Sequence, residues 1–121
     1  MEEDEINTLI AKHFTVWSDR NGSTRREAIE QLYSNDILVI AHYRFNGLPN
    51  IDAYIGNLLS ERPQYSFAQR TPVESHHNIA RVNWQFGPPA DPARVTGQDI
   101  FTFEAGKIQS LLVFLDIKKN Q

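Results

Sequence analysis

Asp99 is the residue whose sequence surroundings point most directly to chemistry. It alternates with Phe101 and Phe103, and alternate residues of a strand point to the same side, so its carboxyl group is expected on an apolar face. A carboxyl group there must be paired with a cation, hydrogen-bonded or kept neutral, because an unpaired buried charge is costly. In a pocket, such a group is a candidate acid or base. The alternatives are a solvated position near the start of the strand, or an ion pair with an arginine.

His13 is the second candidate, because it falls on the apolar stripe of the predicted first helix. Leu9 and Trp17 lie one turn away on either side, so the three side chains share a helix face. An imidazole can donate or accept a proton near neutral pH, which would make His13 a partner for Asp99. The alternative is a core histidine that is hydrogen-bonded to a backbone carbonyl.

Other catalytic and metal-binding patterns are weak. His76 and His77 are adjacent, and neighbouring residues of a strand face opposite sides, so they are not expected to hold one metal ion together. The absence of cysteine excludes disulfides, thiolate metal sites and a cysteine nucleophile. The sequence contains no nucleophile elbow, phosphate-binding loop or dinucleotide-binding motif. We therefore predict no metal and no cofactor.

Composition and charge limit the classes of partner. The 121 residues fit one domain, 1–121, and 40% hydrophobic with 22% charged residues is typical of a globular chain. A net charge of −3, with Arg25-Arg26 and Lys118-Lys119 as the basic doublets, argues against a nucleic-acid partner. The acidic start Met1-Glu2-Glu3-Asp4-Glu5 and the lack of a long apolar run predict a cytoplasmic protein with no membrane segment.

The elements that must position Asp99 and His13 follow from periodicity. Three helices are predicted: one ending at Asn21-Gly22, one opened by a Thr24/Glu27 capping box and reaching Ser34-Asn35 with Tyr33 buried, and one from Asn50 to Pro63. Alternation predicts strands over 37–45, 65–74, 77–86, 95–104 and 107–117. The last is apolar on both faces, so it should lie centrally. This order predicts an α+β fold, in which a curved, mostly antiparallel sheet and the helices form a cone around an apolar pocket.

Several strings, by their order and spacing, resemble a known family. They are Trp17 with Asp19 and Arg26, Leu32-Tyr33-Ser34-Asn35-Asp36, His77-Asn78 with Arg81 and Trp84, Gly97-Gln98-Asp99-Ile100-Phe101, Phe103-Glu104-Ala105-Gly106-Lys107-Ile108, and Val113-Phe114-Leu115-Asp116. From Phe14 to Asp116 the chain resembles the nuclear transport factor 2-like superfamily, especially its SnoaL-like branch. The resemblance implies a cone of bent sheet, often dimeric through its outer side. Members include ketosteroid isomerases, polyketide cyclases and epoxide hydrolases, so the fold does not determine the function.

The resemblance to ketosteroid isomerase implies roles for particular positions. Asp99 matches the aspartic acid that donates a hydrogen bond to the oxyanion, and His13 falls where that enzyme has a tyrosine donor on its helix. The general-base aspartate would lie at Ala41, and alanine cannot move a proton. Steroid isomerisation by that mechanism is therefore not expected.

The leading hypothesis is a SnoaL-like pocket enzyme that needs no cofactor. It would isomerise, cyclise or hydrate a small apolar metabolite such as a polyketide-, terpenoid- or steroid-like carbonyl compound, with Asp99 as acid or hydrogen-bond donor and His13 as its partner. The expected pocket residues are Trp17, Tyr43, Tyr54, Trp84 and Phe101, and a homodimer is expected. The alternative is a non-catalytic ligand-binding or dimeric scaffold module, which the missing base at Ala41 favours. A transport factor is a third hypothesis, because the superfamily contains one.

Overall fold

The structure, a computed structural model, describes residues 1–116 of the chain. These residues form three helices and seven strands, which are joined by turns and loops. The helices are Glu3–Trp17 (α1), Gly22–Leu32 (α2) and Leu48–Glu61 (α3). The strands are Tyr33–Ile40 (β1), Arg44–Asn46 (β2), Ser66–Gln69 (β3), Glu74–His76 (β4), Ile79–Gly87 (β5), Val95–Glu104 (β6) and Lys107–Leu115 (β7). The predicted α+β fold is confirmed. The expected end of the last strand at Ile117 and the Lys118-Lys119 doublet lie outside the described residues.

The seven strands form one open sheet in the order β2-β1-β7-β6-β5-β3, with β4 also paired to β5. Every pairing is antiparallel except that of β1 with β7, which is parallel. β7 therefore lies between β1 and β6, in the middle of the sheet, as its two apolar faces predict.

Asn21 caps the N-terminus of the second helix, immediately before Gly22. Its side-chain Oδ1 accepts hydrogen bonds from the backbone N–H groups of Ser23 and Thr24, at 2.9 and 3.2 Å, which satisfies two free donors of the first turn. The Thr24 hydroxyl donates instead to Asp19 Oδ2. The predicted capping box at Thr24 is therefore wrong, and Asn21 is the cap. α2 ends at Leu32, so that Tyr33 is the first residue of β1.

Two predicted strands are each split in the structure. The strand expected over 37–45 reverses at residues 41–43, where the Ala41 N–H donates to the Tyr43 carbonyl, and the returning segment β2 pairs with β1. The segment expected as one strand over 65–74 contains β3 and only the first residue of β4. His77 has a φ of 55°, which takes it out of the strand, and its Nδ1 lies 3.2 Å from that of His76.

The two histidines thus lie side by side, unlike the opposed arrangement expected of a continuous strand. Within residues 1–116, no group of three or more His, Asp or Glu side chains is arranged to hold a metal ion. The same residues include no helix with the length and apolar character needed to cross a membrane.

Two arginines connect the helices. The buried Arg25 of α2 donates from Nε to Asp52 Oδ1 of α3 at 2.7 Å. Arg20, in the turn between α1 and α2, donates to the carbonyl oxygens of Leu59, Arg62 and Tyr65, at 2.6, 2.7 and 2.8 Å. The end of α3 and the segment that leads to β3 are thereby held against the α1–α2 turn, since the last carbonyls of a helix have no partner within it.

Candidate functional site

A cavity of about 250 Å³ lies between α1, α3 and the face of the sheet that the helices cover, called the inner face below. Its exposed lining residues, Arg62 and Leu115, mark the mouth, and the buried His13 and Asp99 mark the floor. The remaining lining residues are largely apolar: Phe14, Trp17, Ala41, Tyr54, Leu58, Phe67, Trp84, Phe86, Val95, Leu111 and Val113. An apolar cavity with a few convergent polar groups is the usual form of a small-molecule site.

Within residues 1–116, Asp99 brings the only acidic group to the cavity lining. It lies on β6, between Val82 of β5 and Val113 of β7 in the sheet register, and is 4% exposed. Its Oδ1 accepts the indole N–H of Trp84 at 2.8 Å, and its Oδ2 lies 3.0 Å from His13 Nε2. Asp99 is therefore neither solvated nor paired with an arginine, the two structural alternatives; its partners are an indole and an imidazole.

Gly97 makes the Trp84 contact possible. The two residues face each other in the β5–β6 register, and the indole of Trp84 lies across the space where a side chain would stand. A Cβ built on Gly97 would lie 2.9 Å from Trp84 Cε2 and 2.5 Å from the Phe114 carbonyl oxygen. The lack of a side chain at Gly97 thus lets the indole N–H reach Asp99, two residues further along β6.

His13 continues the hydrogen-bond chain away from the cavity. The side chain is 1% exposed, and its Nδ1 lies 2.7 Å from the hydroxyl oxygen of Tyr33, which also accepts the indole N–H of Trp17 at 3.0 Å. The chain of polar groups therefore runs from Trp17 through Tyr33 and His13 to Asp99. The expected backbone-carbonyl partner of a core histidine is absent from the contacts of His13 within residues 1–116.

The buried Tyr33 hydroxyl determines which way the hydrogens point. An indole N–H only donates, so Tyr33 accepts from Trp17, and within residues 1–116 its own O–H has His13 Nδ1 as its acceptor. His13 Nδ1 then carries no hydrogen, and its neutral ring donates from Nε2 to Asp99 Oδ2. Asp99 therefore accepts from both His13 and Trp84, as a carboxylate. The reverse direction would leave the Tyr33 O–H without an acceptor in a fully buried position, which is costly.

Burial keeps Tyr33 in its phenol form. It raises the pKa of the Tyr33 hydroxyl well above its usual value, and the negative charge of Asp99 raises that pKa further, against a lowering by the Trp17 hydrogen bond. An ionised Tyr33 could not donate to His13. The raised pKa of Tyr33 therefore supports donation from its hydroxyl to His13 Nδ1.

Aromatic rings form much of the cavity wall. Trp17 packs edge-on against Tyr54 and Phe67, at ring-centroid distances of 5.8 and 5.9 Å, and Phe67 packs against Trp84 at 5.3 Å. Burial, and secondarily the neighbouring Tyr43, raises the pKa of Tyr54. Tyr54 therefore presents a phenol, a hydrogen-bond donor, near the cavity at neutral pH.

Two expected pocket residues are not brought to the cavity. Tyr43 lies in the turn between β1 and β2 and is 64% exposed, because the chain reverses there and the strand alternation that placed it inward does not continue. Phe101 is fully buried, and its ring packs edge-on against that of His13 at 4.9 Å. Phe101 is the next residue of β6 after Asp99 that faces the helices, at a position that α1 covers. It therefore packs against His13 and does not line the cavity.

Other members of the site are not identifiable from the sequence. Helix spacing places Tyr33 in the second helix, because the apolar pattern of that helix continues through it. Trp84 is expected in the wall, and its N–H donation to Asp99 has no sequence signal. Arg62 lies at the end of a predicted helix and Phe67 lies in a predicted strand. Nothing in their spacing indicates that they share a cavity.

Solved structures share this architecture. A proposed isomerase of the SnoaL-like family from Agrobacterium tumefaciens superposes with a TM-score of 0.88 at 21% identity, over 94% of this chain and 99% of that one. A proposed ketosteroid isomerase from Kribbella flavida superposes with a TM-score of 0.74 at 14% identity, over 98% and 82%. A de novo designed protein with a curved β-sheet has a TM-score of 0.74 at 18% identity, over 96% and 88%.

These likenesses confirm the nuclear transport factor 2-like fold and, at the level of fold, the resemblance to SnoaL-like proteins. Searches of protein-family models and of curated proteins give no match. One fold can host many unrelated functions, so function must be argued from the site.

Proposed function

We propose that this chain, a nuclear transport factor 2-like fold with an apolar cavity, acts on a small, largely apolar carbonyl compound by cofactor-free acid–base chemistry. The structural neighbours include proposed isomerases. The largely apolar lining of the cavity favours an apolar metabolite, and the proposed classes are polyketide-, terpenoid- and steroid-like compounds. The observation that carries the proposal is the Asp99 carboxylate, held at the cavity floor by the N–H groups of His13 and Trp84.

In this proposal Asp99 is the base. It takes a proton from the carbon next to the ligand carbonyl, and the C–H electron pair becomes the π bond of an enolate. The same carboxyl group returns the proton to another carbon of the conjugated system, so that a double bond moves and nothing is consumed. Tyr54 is the proposed hydrogen-bond donor to the carbonyl oxygen, where negative charge develops.

This assignment changes the role that the resemblance implied for Asp99. Both carboxylate oxygens accept hydrogen bonds, whereas the resemblance implied that Asp99 donates one. The resemblance placed the general base at position 41, and Ala41 lines the cavity but cannot act as a base. In this proposal Asp99 of β6 supplies the base instead. His13 orients the Asp99 carboxylate by donating from Nε2. The Tyr33 hydroxyl, which donates to His13 Nδ1, keeps the ring hydrogen on Nε2.

The test begins with binding. Trp17 and Trp84 are the chain's two tryptophans and both line the cavity, so intrinsic fluorescence should report a ligand directly. A panel of carbonyl-bearing polyketides, terpenoids and steroids is screened by fluorescence and thermal shift; a ligand at about a hundred times its Kd stabilises by about 2.7 kcal/mol. Each hit is then incubated with protein in D₂O and followed by proton NMR.

Asp99-dependent exchange or isomerisation of a hit is the expected result. Asp99→Asn should bind the same compound yet lose the exchange, by about 10²-fold or more. Exchange at the wild-type rate in Asp99→Asn would refute the assigned base.

A non-catalytic ligand-binding module is the second candidate function. It is favoured by the completeness of the hydrogen bonds: both oxygens of Asp99 and both ring nitrogens of His13 already have partners within the protein. Hits that bind tightly without any exchange or product in D₂O would support this function over catalysis.

The expected homodimer is also part of the proposal, with a second copy covering the outer face of the sheet. Ile40 of β1 and Leu112 of β7 are register partners, as are Leu112 and Ile100 of β6, so the three form one apolar row on the side away from the cavity. Phe114 lies on the same side and is 60% exposed, and Ile40 is 36% exposed. A contiguous apolar patch on a sheet is typical of an interface.

A further inference from the structure

Among the cavity-lining side chains of residues 1–116, Arg62 carries the one permanent positive charge. It directly follows α3 and is exposed at the mouth, where its lining neighbours Leu58 and Leu115 are apolar. The floor at the other end holds the Asp99 carboxylate. The cavity is therefore polarised, with a cation at the opening and an anion at the base.

The backbone of Arg62 is held in place on both sides. Its N–H donates to the Leu59 carbonyl at 3.2 Å, and its own carbonyl accepts from Arg20 Nη2 at 2.7 Å and from the Tyr65 N–H at 3.2 Å. These bonds use only main-chain atoms of Arg62. The guanidinium is thus anchored at the mouth by a fixed backbone without itself closing the end of the helix.

The guanidinium has little to do within the protein. Nη1 donates to the neighbouring Glu61 carbonyl at 3.2 Å, a weak neutral contact for a group with five N–H donors. Within residues 1–116 four arginines are paired with carboxylates, and Arg62, like Arg20, Arg44 and Arg70, is not among them. The paired ones are Arg25, Arg26, Arg81 and Arg94.

We propose, building on the proposed function, that the ligand is an apolar carboxylic acid whose body fills the cavity and whose carboxylate binds Arg62. The planar guanidinium matches a carboxylate with two parallel hydrogen bonds, which a lysine cannot reproduce. Repulsion by Asp99 disfavours the opposite orientation, because like charges interact strongly in an apolar cavity. Arg62 and Asp99 together therefore set which end of the ligand reaches the base.

The test compares an acid with its own ester, so that the apolar body is constant. The probes are 4-phenylbutyrate and methyl 4-phenylbutyrate, titrated by calorimetry and followed by the fluorescence of Trp17 and Trp84. The acid should bind the wild-type protein about fivefold to tenfold more tightly than the ester, and the preference should shrink as ionic strength rises. Arg62→Gln should abolish the preference, and Arg62→Lys should retain only part of it.

Arg70→Gln is the matched control, because Arg70 is also exposed but does not line the cavity. It removes the same charge and should leave the preference for the acid intact. Equal binding of acid and ester by the wild type would overturn the inference about Arg62, and so would a preference for the acid that survives in Arg62→Gln. If Asp99-dependent exchange is still observed, either result leaves the proposed function standing. Failure of both probes to bind the wild type would count against the cavity as a ligand site, and thus against the proposed function as well.

Discussion

Trp17 and Trp84 donate their indole N–H groups to the two ends of one hydrogen-bond chain, at 3.0 Å to Tyr33 and at 2.8 Å to Asp99. An indole can only donate a hydrogen bond, so Tyr33 and Asp99 each accept one from a tryptophan. The O–H of the fully buried Tyr33 has His13 Nδ1 as its acceptor, and His13 then donates from Nε2 to Asp99. The Tyr33 hydroxyl thus decides which nitrogen of His13 carries the ring hydrogen.

The first prediction concerns the tautomer of His13. At neutral pH the ring should be neutral with its hydrogen on Nε2, which long-range ¹H–¹⁵N NMR distinguishes from the other forms. Tyr33→Phe removes the O–H that donates to His13 Nδ1, so the Nδ1–H form should gain population. A wild-type ring protonated on Nδ1, or on both nitrogens, would contradict donation from Tyr33 to His13 and from His13 to Asp99.

Asp99→Asn should destabilise the protein as well as remove the proposed base. The amide has one donor end, which must face an N–H group of either His13 or Trp84, so one buried donor loses its acceptor. A loss of about 1–3 kcal/mol in the free energy of unfolding is expected, measured by urea denaturation. Unchanged stability would indicate that neither N–H depends on the carboxylate.

Gly97→Ala should displace the indole of Trp84. The added methyl group would meet both that ring and the Phe114 carbonyl, and the backbone partner cannot move aside as a flexible side chain could. We expect about 1–3 kcal/mol of destabilisation, a changed tryptophan emission and a drop in Asp99-dependent activity. Trp84→Phe serves as the comparison, because it removes the N–H and leaves the Gly97 backbone untouched; the two variants should share the activity loss.

Stability should fall at alkaline pH because of Tyr33. The folded-state pKa of this phenol is raised by burial above the unfolded value of about 10. Its contribution is therefore complete below pH 10 and is lost as pH rises beyond it, since only the unfolded chain releases the proton. The expected slope is up to about 1.4 kcal/mol per pH unit. Urea midpoints between pH 8 and pH 11 test this, and Tyr33→Phe should show a shallower decline.

A proposed dimer through the outer face of the sheet depends on Phe114. Phe114→Glu should convert a dimer into a monomer in sedimentation equilibrium, because a charge would be buried in an apolar interface. Phe114→Tyr keeps the ring and should remain dimeric. A wild-type protein that is monomeric at tens of micromolar would refute this part of the proposal.

The elements near Asp99 were predictable because their alternation is uninterrupted. The strand predicted over 95–104 coincides with β6, and both apolar faces of β7 correctly indicated a central strand. Tyr43 was misplaced because alternation says nothing about where a chain reverses. Phe101 was misplaced for another reason. Alternation correctly gives the side of the sheet on which Phe101 lies, but only tertiary packing decides whether α1 or the cavity covers that position.

The meeting of His13 with Asp99 could not be deduced from spacing, since 86 residues separate them. Each was a candidate by itself, from an apolar helix stripe and an apolar strand face. The resemblance placed both near one oxyanion, but the role of Tyr33 between His13 and Trp17 required the end of α2 to be known. Helix periodicity continues through Tyr33, and the Asn21 cap fixes only the start of that helix.

The central position of β7 also has a consequence for how the protein forms. β1 has its parallel partner in β7, which follows every other described strand in the chain, so the two sides of the sheet cannot join until β7 is present. Pairings between such distant segments carry a high loop-closure cost and slow folding. A nascent chain that stops before β7 should therefore lack the part of the cavity lining that Leu111, Val113 and Leu115 supply and should expose apolar strand edges. Chaperone binding should then concentrate in the interval before β7 is released.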